Sequence, residues 1–224
     1  MDNIKTGLAD LDKLLDGGFP EKTALLLSGE AGCGKTLFAL NFLVQGAKFG
    51  DKCCYVSLGE TKPELIRACS GIASLKEAEK YTDKNLIFKH IKMDETHTLE
   101  EFMHIMSQYP NLDRLVIDNV NQLLMHAENS RTYRMKFSEL VKMLKDKASC
   151  TLLLCETKGA ETDSGNGESF EADGVVKLGF QELEEKPRRT LQIMKMRYTG
   201  FDPRVMHEFV VGSDKIRLTR AKII

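Results

Sequence analysis

Residues 23–36 read Thr23-Ala24-Leu25-Leu26-Leu27-Ser28-Gly29-Glu30-Ala31-Gly32-Cys33-Gly34-Lys35-Thr36, and the reading of this stretch decides the fold. An apolar run of strand length, 23–29, ends in glycine. From Lys35 to Phe49, apolar side chains at 37, 38, 40, 43, 44 and 47 suit a mostly buried helix. Between the two, Gly29-Glu30-Ala31-Gly32-Cys33-Gly34-Lys35-Thr36 fits G-x-x-x-x-G-K-[ST] in the strand-to-helix context that this motif requires. Glycines let the backbone wrap so that successive N–H groups point at phosphate oxygens, and the helix adds its positive N-terminal end. Lys35 reaches the β and γ phosphates, and the Thr36 hydroxyl is a hard oxygen ligand for Mg²⁺. The bland alternative, a glycine-rich turn with a surface lysine, leaves the agreement of Thr36, strand and helix unexplained. The sequence therefore predicts a nucleoside triphosphate site at 29–36.

Working outward, 53–58 (CCYVSL), 114–118 (RLVID) and 151–156 (TLLLCE) are further short apolar runs without clean polar alternation, as in a parallel sheet covered on both faces. Leu99, Phe102, Met103 and Met106 share one helical face, and so do Phe137, Leu140, Val141 and Leu144; both stripes read as core. Alternating strands and helices predict an α/β fold with a mainly parallel twisted sheet flanked by helices and a ligand site at the carboxyl ends of the strands. Asp118 ends one strand as the second expected Mg²⁺ contact, the alternative being a cap on the next helix. Glu60 follows another strand and is the candidate to orient or deprotonate an attacking water, the alternative being a helix N-terminal charge.

Past residue 156 the stretch to 173 is rich in Gly, Ser and acid and predicts a mobile loop. Stretches 173–180, 188–196 and 206–211 are β-prone, with 181–187 (QELEEKP) as a hairpin connection, and predict an antiparallel extension of the sheet. The chain of 224 residues is read as one domain: an N-terminal motif over 1–20, the loop at 156–173, and a β-rich part from 174 to 224. Lys plus Arg number 32 against 33 Asp plus Glu, which argues against nucleic-acid binding by global charge. No apolar run is long enough for a membrane span or a signal core, so a cytoplasmic location is expected. Six cysteines in apolar or glycine-rich stretches, with no C-x-x-C pair, read as reduced, buried thiols, and the histidines lack zinc-ligand spacing.

Together with Ile4-Lys5-Thr6-Gly7-Leu8, Leu11-Asp12 and Gly17-Gly18-Phe19-Pro20 ahead of the first strand, these motifs and Lys195-Met196-Arg197 resemble the KaiC-like branch of the RecA superfamily over nearly the whole chain. The resemblance implies a RecA-like P-loop ATPase fold, ATP with Mg²⁺, and self-assembly into a ring, a hexamer among the options, or a filament, with ATP at subunit boundaries. It also implies that Lys195 and Arg197 reach the neighbour's γ-phosphate, and alternation along a strand puts both on one face. The alternative for the pair is two solvated strand-end cations. Glu156 matches the acidic residue after the sensor strand. The chain departs from the family where two consecutive glutamates are usual: Gly59 stands first, leaving only Glu60.

The departure implies slow hydrolysis in a regulatory ATPase that acts through nucleotide-dependent self-assembly or an unidentified protein partner. A RadA-like DNA-repair role is the alternative. Its DNA-facing loop at 156–173 would carry six acids and one lysine, the wrong sign for single-stranded DNA, although residues 186–222 hold ten Lys or Arg against three acids. A non-hydrolysing ATP-binding scaffold is the third reading, carried by Gly59. With one ATPase domain's worth of sequence, a clock role is not implied.

Overall fold

The computed structural model describes residues 3–92, 98–124, 129–182, 186–203 and 205–219. Its N-terminal motif contains β1 (Asn3–Ile4), α1 (Ala9–Leu14) and β2 (Phe19–Pro20), with β1 and β2 paired as a ribbon. Asp12 Oδ1 accepts hydrogen bonds from the Thr6 backbone N–H and hydroxyl, which ties the motif across α1.

The chain continues through β3 (Thr23–Gly29), α2 (Lys35–Phe49), β4 (Cys53–Ser57), α3 (Lys62–Ser70), α4 (Ala73–Lys76), α5 (Ala78–Tyr81) and β5 (Leu86–His90). Next come α6 (Leu99–Ser107), β6 (Leu112–Asp118), α7 (Val120–Leu124), α8 (Ser130–Lys147), β7 (Ala148–Glu156) and α9 (Glu168–Glu171). Four strands close the chain: β8 (Gly174–Gln181), β9 (Arg188–Met196), β10 (Met206–Val211) and β11 (Ile216–Thr219).

Nine strands form one sheet in the order β11-β10-β9-β8-β3-β7-β6-β4-β5. β3 is buried at every residue because it is paired on both edges and covered on both faces. The two-residue alternation of strands sorts the apolar side chains into two cores. Leu25, Leu27, Tyr55, Val116, Leu152 and Leu154 face α1, α2 and α3, whereas Leu26, Val56, Leu115, Ile117 and Leu153 face α6, α7 and α8. Both predicted helical stripes lie in the second core, except Met103, which packs at its margin. The result is the expected α/β architecture, a mostly parallel sheet between helical layers.

Two features differ from the sequence reading. β8 is not part of the antiparallel extension: it runs parallel to β3, and the antiparallel part begins at β9. The reason is that segment 157–173 carries the chain back to the start of β3, where the Asp173 N–H donates to the Ala24 carbonyl at 2.9 Å. β5 and β11 are edge strands of five and four residues, too short to be read from their composition. In the 181–187 connection, Leu183, Glu184 and Glu185 lie outside the described residues, as do His97, His126, Arg204, Arg220 and Lys222. Among the described residues no helix is long and apolar enough to cross a membrane. All six cysteines are buried free thiols, and burial pushes each above the ordinary thiol pKa, so they stay protonated.

Candidate functional site

Strand register alone gathers the ends of four strands at the carboxyl edge of the sheet. Gly29 of β3 lies beside Glu156 of β7, and Asp118 of β6 lies beside Ser57 of β4 and Leu154 of β7. From Gly29 the backbone turns through residues 30–34 into α2. Two glycines there are dictated by both conformation and space. Gly29 has φ +153°, and a Cβ on it would meet the Leu178 carbonyl oxygen at 2.2 Å; Gly34 has φ +107°, and its Cβ would meet the Phe209 ring at 2.9 Å. Gly34 is also the N-cap of α2 and offers no side chain, so the first amides of the helix are left for a ligand. Cys33 is buried beneath the loop, while Glu30 and Ala31 are at its outer part.

Lys35 lies across this loop, donating to the carbonyls of Gly29 and Glu30 at 2.8 and 2.9 Å. The Thr36 hydroxyl donates to Asp118 Oδ2 at 3.4 Å, and the hydroxyl of Tyr55 donates to the same oxygen at 2.5 Å. Asp118 is thus turned toward the P-loop and does not cap the helix that follows it. That place is taken by Asn119, whose Oδ1 accepts from the Gln122 N–H. Burial pushes the Asp118 carboxyl above the ordinary aspartate range, opposed by the Tyr55 hydroxyl, the Lys35 charge and the Thr36 hydroxyl. Burial, then the Asp118 charge, holds the Tyr55 phenol well above its ordinary value, so Tyr55 remains a donor.

Glu60 is set by local turn chemistry. Ser57 Oγ accepts from the backbone N–H groups of Gly59 and Glu60 at 3.3 and 2.8 Å. Thr61 then begins α3 with a capping box closed by Glu64. The helix N-terminus therefore has its own acid, and Glu60 lines the same cleft of about 320 Å³ as Lys35, Thr36 and Asp118. Partial desolvation in the cleft, then the nearby Asp118 charge, raises the Glu60 pKa above the ordinary glutamate range. Asn119, Gln122 and Glu156 also line this cleft. Asn121 latches α7 to β7: its Oδ1 accepts from the Glu156 N–H at 2.7 Å, and its Nδ2 donates to the Glu156 carbonyl at 2.9 Å.

Lys195 and Arg197 are not at this edge. Lys195 pairs in register with Val175, three residues before Leu178, the β8 residue beside Gly29, and toward the end of the sheet where Gly174 lies beside Leu25. Lys195 Nζ donates to the carbonyls of Ser169, Phe170 and Ala172, and Arg197 pairs with Asp173 at 3.3 Å. Burial, then the Arg197 charge, holds the Lys195 ammonium below its ordinary pKa. Both cations do reach one region, but not the P-loop of their own chain.

The expected loop at 156–173 carries α9 and a network of its own. Glu168, fully buried, accepts from the hydroxyls of Tyr133 and Ser164, and Asp163 accepts from Ser169. Glu171 pairs with Arg134, and Asp173 with Lys145 and Arg197. Most of the acids counted in this segment are therefore spent inside the fold, and its formal charge overstates what it presents to a partner.

The family profile described as "ATPase: KaiC" matches residues 4–222. The chain is 29% identical over 205 residues to Circadian clock protein KaiC2 of Synechocystis, an alignment covering 86% of this chain and 36% of that protein. It is 28% identical to a UPF0273 protein of Pyrococcus horikoshii, covering 99% of this chain and 98% of that one. The chain thus spans about a third of the length of KaiC2 and nearly all of the UPF0273 protein. Among solved structures, a KaiC-like protein of Pyrococcus horikoshii superposes with a TM-score of 0.83 at 28% identity, covering 97% of this chain and 98% of that one. With a P-loop, an apposed strand-end aspartate and a profile match over nearly its full length, the chain belongs to the KaiC family of nucleotide-binding ATPases.

Proposed function

We propose that the chain binds ATP with Mg²⁺ at residues 29–36, hydrolyses it slowly, and uses the bound state to control self-assembly or the binding of a protein partner. The observation that carries this reading is the convergence of Lys35, Thr36, Asp118 and Glu60 on one cleft at the carboxyl edge of the sheet. The loop amides and Lys35 would hold the phosphate tail. Thr36 Oγ and Asp118 Oδ2, 3.4 Å apart, are hard oxygens of the kind that Mg²⁺ takes, so the residues present fit the ion. When bound, Mg²⁺ supplies neutralisation of phosphate charge. Glu60 would accept the proton of the attacking water, and glycine at 59 leaves no carboxylate beside it in the chain to assist. That lack supports slow turnover.

The assembly half of the reading is supported by the distance between Lys195 and Arg197 and the P-loop of their own chain. Cations held at the opposite end of β3 and β8 are useless to that loop but suited to another subunit's phosphates, where they would stabilise developing charge. Calorimetric titration with Mg-ATP, followed by mass measurement with and without the nucleotide, tests both halves. Binding heat together with a nucleotide-dependent oligomer is expected. No heat removes the ATP reading, and a strict monomer in Mg-ATP removes the assembly reading.

A further inference from the structure

The chain lacks a side chain at 59, where its relatives' pattern suggested a carboxylate, and the cleft is not simply emptier there. A Cβ built on Gly59 would lie 3.0 Å from Nε2 of Gln122, and among the described residues, chain neighbours aside, this amide nitrogen is the one heavy atom within 4 Å. Gln122 projects from α7 into the space that a residue 59 side chain would begin to fill. It lines the cleft together with Lys35, Thr36, Glu60 and Asp118. Among the described residues its side-chain amide makes no hydrogen bond, so both its donor and its acceptor are free for a ligand. Its backbone, by contrast, is fixed: the Gln122 N–H donates to both the carbonyl and Oδ1 of Asn119, and the preceding residue, Asn121, is clamped to Glu156 by two hydrogen bonds.

We infer that Gln122 positions the attacking water, standing in for the side chain that Gly59 lacks. A carboxamide suits this task because its oxygen accepts from water while its NH₂ donates to a phosphate oxygen, a device that recurs in phosphoryl transfer. It cannot take a proton at neutral pH, so the division of labour is fixed by chemistry. Gln122 holds the water in line; the water oxygen bonds to the γ-phosphorus; the bond from that phosphorus to the bridging oxygen breaks, its electron pair leaving with ADP; and the water proton passes to the Glu60 carboxylate. Orientation without a second base is compatible with a slow reaction. The inference rests on the ATPase reading above.

Gln122→Ala in the full chain is compared with Gly59→Glu and with the double variant, using single-turnover hydrolysis of Mg-ATP and calorimetric ATP binding. Gln122→Ala is expected to slow hydrolysis by about 10²-fold, the scale of one lost positioning or transition-state hydrogen-bonding group, with ATP affinity changed by less than about threefold. Gly59→Glu in the Gln122→Ala background is expected to recover at least about tenfold of the loss, since the new carboxylate then has room; alone, it meets the Gln122 amide and is expected to give no gain. A merely structural glutamine predicts no such rescue. Gln122→Met, which keeps the shape and removes the amide, serves if the alanine variant folds poorly, and is expected to be as slow. Hydrolysis at the wild-type rate in Gln122→Ala or Gln122→Met overturns the inference, as does a double variant no faster than the single one. Wild-type protein that hydrolyses no ATP sinks the underlying ATPase reading instead, so the two failures are told apart.

Discussion

Tyr55→Phe removes one oxygen from the centre of the site and leaves the packing around it. The ring is fully buried and tilted against Phe88 at 6.1 Å, contacts that phenylalanine retains. What is lost is the 2.5 Å hydrogen bond to Asp118 Oδ2, the first of the groups that hold the buried carboxyl down. A hydrogen bond to a charged group contributes about 1.5–3 kcal/mol to stability, so the variant is expected to lose that amount in chemical denaturation at pH 7. The sign with pH follows from Asp118, whose folded-state pKa lies above its unfolded value. The variant's loss is full above its own folded-state pKa, where the carboxylate is charged in both proteins, and disappears as pH falls through the folded-state values of variant and wild type, both of which lie above the ordinary 3.8. With Tyr55 gone the Asp118 pKa rises further, so the acid limb of ATP hydrolysis moves to higher pH and the half-saturating Mg²⁺ concentration increases. Equal denaturation midpoints together with an unchanged Mg²⁺ response would falsify the view that Tyr55 orients and charges Asp118.

Glu60→Gln is expected to abolish most turnover while raising stability at pH 7 by less than about 1 kcal/mol, because solvent screens this exposed residue. The folded-state pKa of Glu60 is raised, so its charged form costs stability above that pKa; the variant's gain should vanish as pH falls below the ordinary glutamate value of 4.5, and a gain that grows in acid would contradict this. Gly29→Ala places a Cβ 2.2 Å from the Leu178 carbonyl at a φ of +153°, and melting lower than wild type by several degrees is expected; an unchanged Tm refutes the fit described here. Lys35→Ala and Arg197→Ala are each expected to hydrolyse ATP at a small fraction of the wild-type rate, but mixing them should restore activity, because one supplies an intact P-loop and the other an intact Arg197. Mixtures no more active than their parts would place Arg197 outside the reaction.

The P-loop was legible in the sequence because its physics is local: glycine spacing, one lysine and one threonine fix a backbone path within a few residues. Asp118 was legible for a related reason, since a carboxylate at the end of a buried strand has few places to point. Tyr55 was not, because in Cys53-Cys54-Tyr55-Val56-Ser57 an aromatic residue reads as core, and core is also where its ring lies. Only the register of Ser57 with Asp118 reveals that the hydroxyl end reaches the site. Asn121 and Gln122 resemble ordinary polar positions of a short helix until β7 is known to lie beside β6. The segment at 156–173 has the composition of an open loop, but its partners, Tyr133 and Lys145, come from α8 at sequence separations of 35 and 28. Composition cannot report on partners that distant.

That same segment touches both halves of the proposed machinery. On the P-loop side, the Thr157 N–H donates to the Gly29 carbonyl and Lys177 Nζ to the Gly159 carbonyl. On the far side, the carbonyls of Ser169, Phe170 and Ala172 hold Lys195, and Asp173 holds Arg197. Between them lie Glu168 and Asp163, both buried and hydrogen-bonded, Asp163 to Ser169, whose carbonyl also holds Lys195. Under the assembly reading, the residues that border one subunit's phosphates are thus continuous with those that aim cations at the next. In such an assembly each subunit's loop would have a physical route to its neighbour's reaction through one segment rather than through a chain of separate contacts.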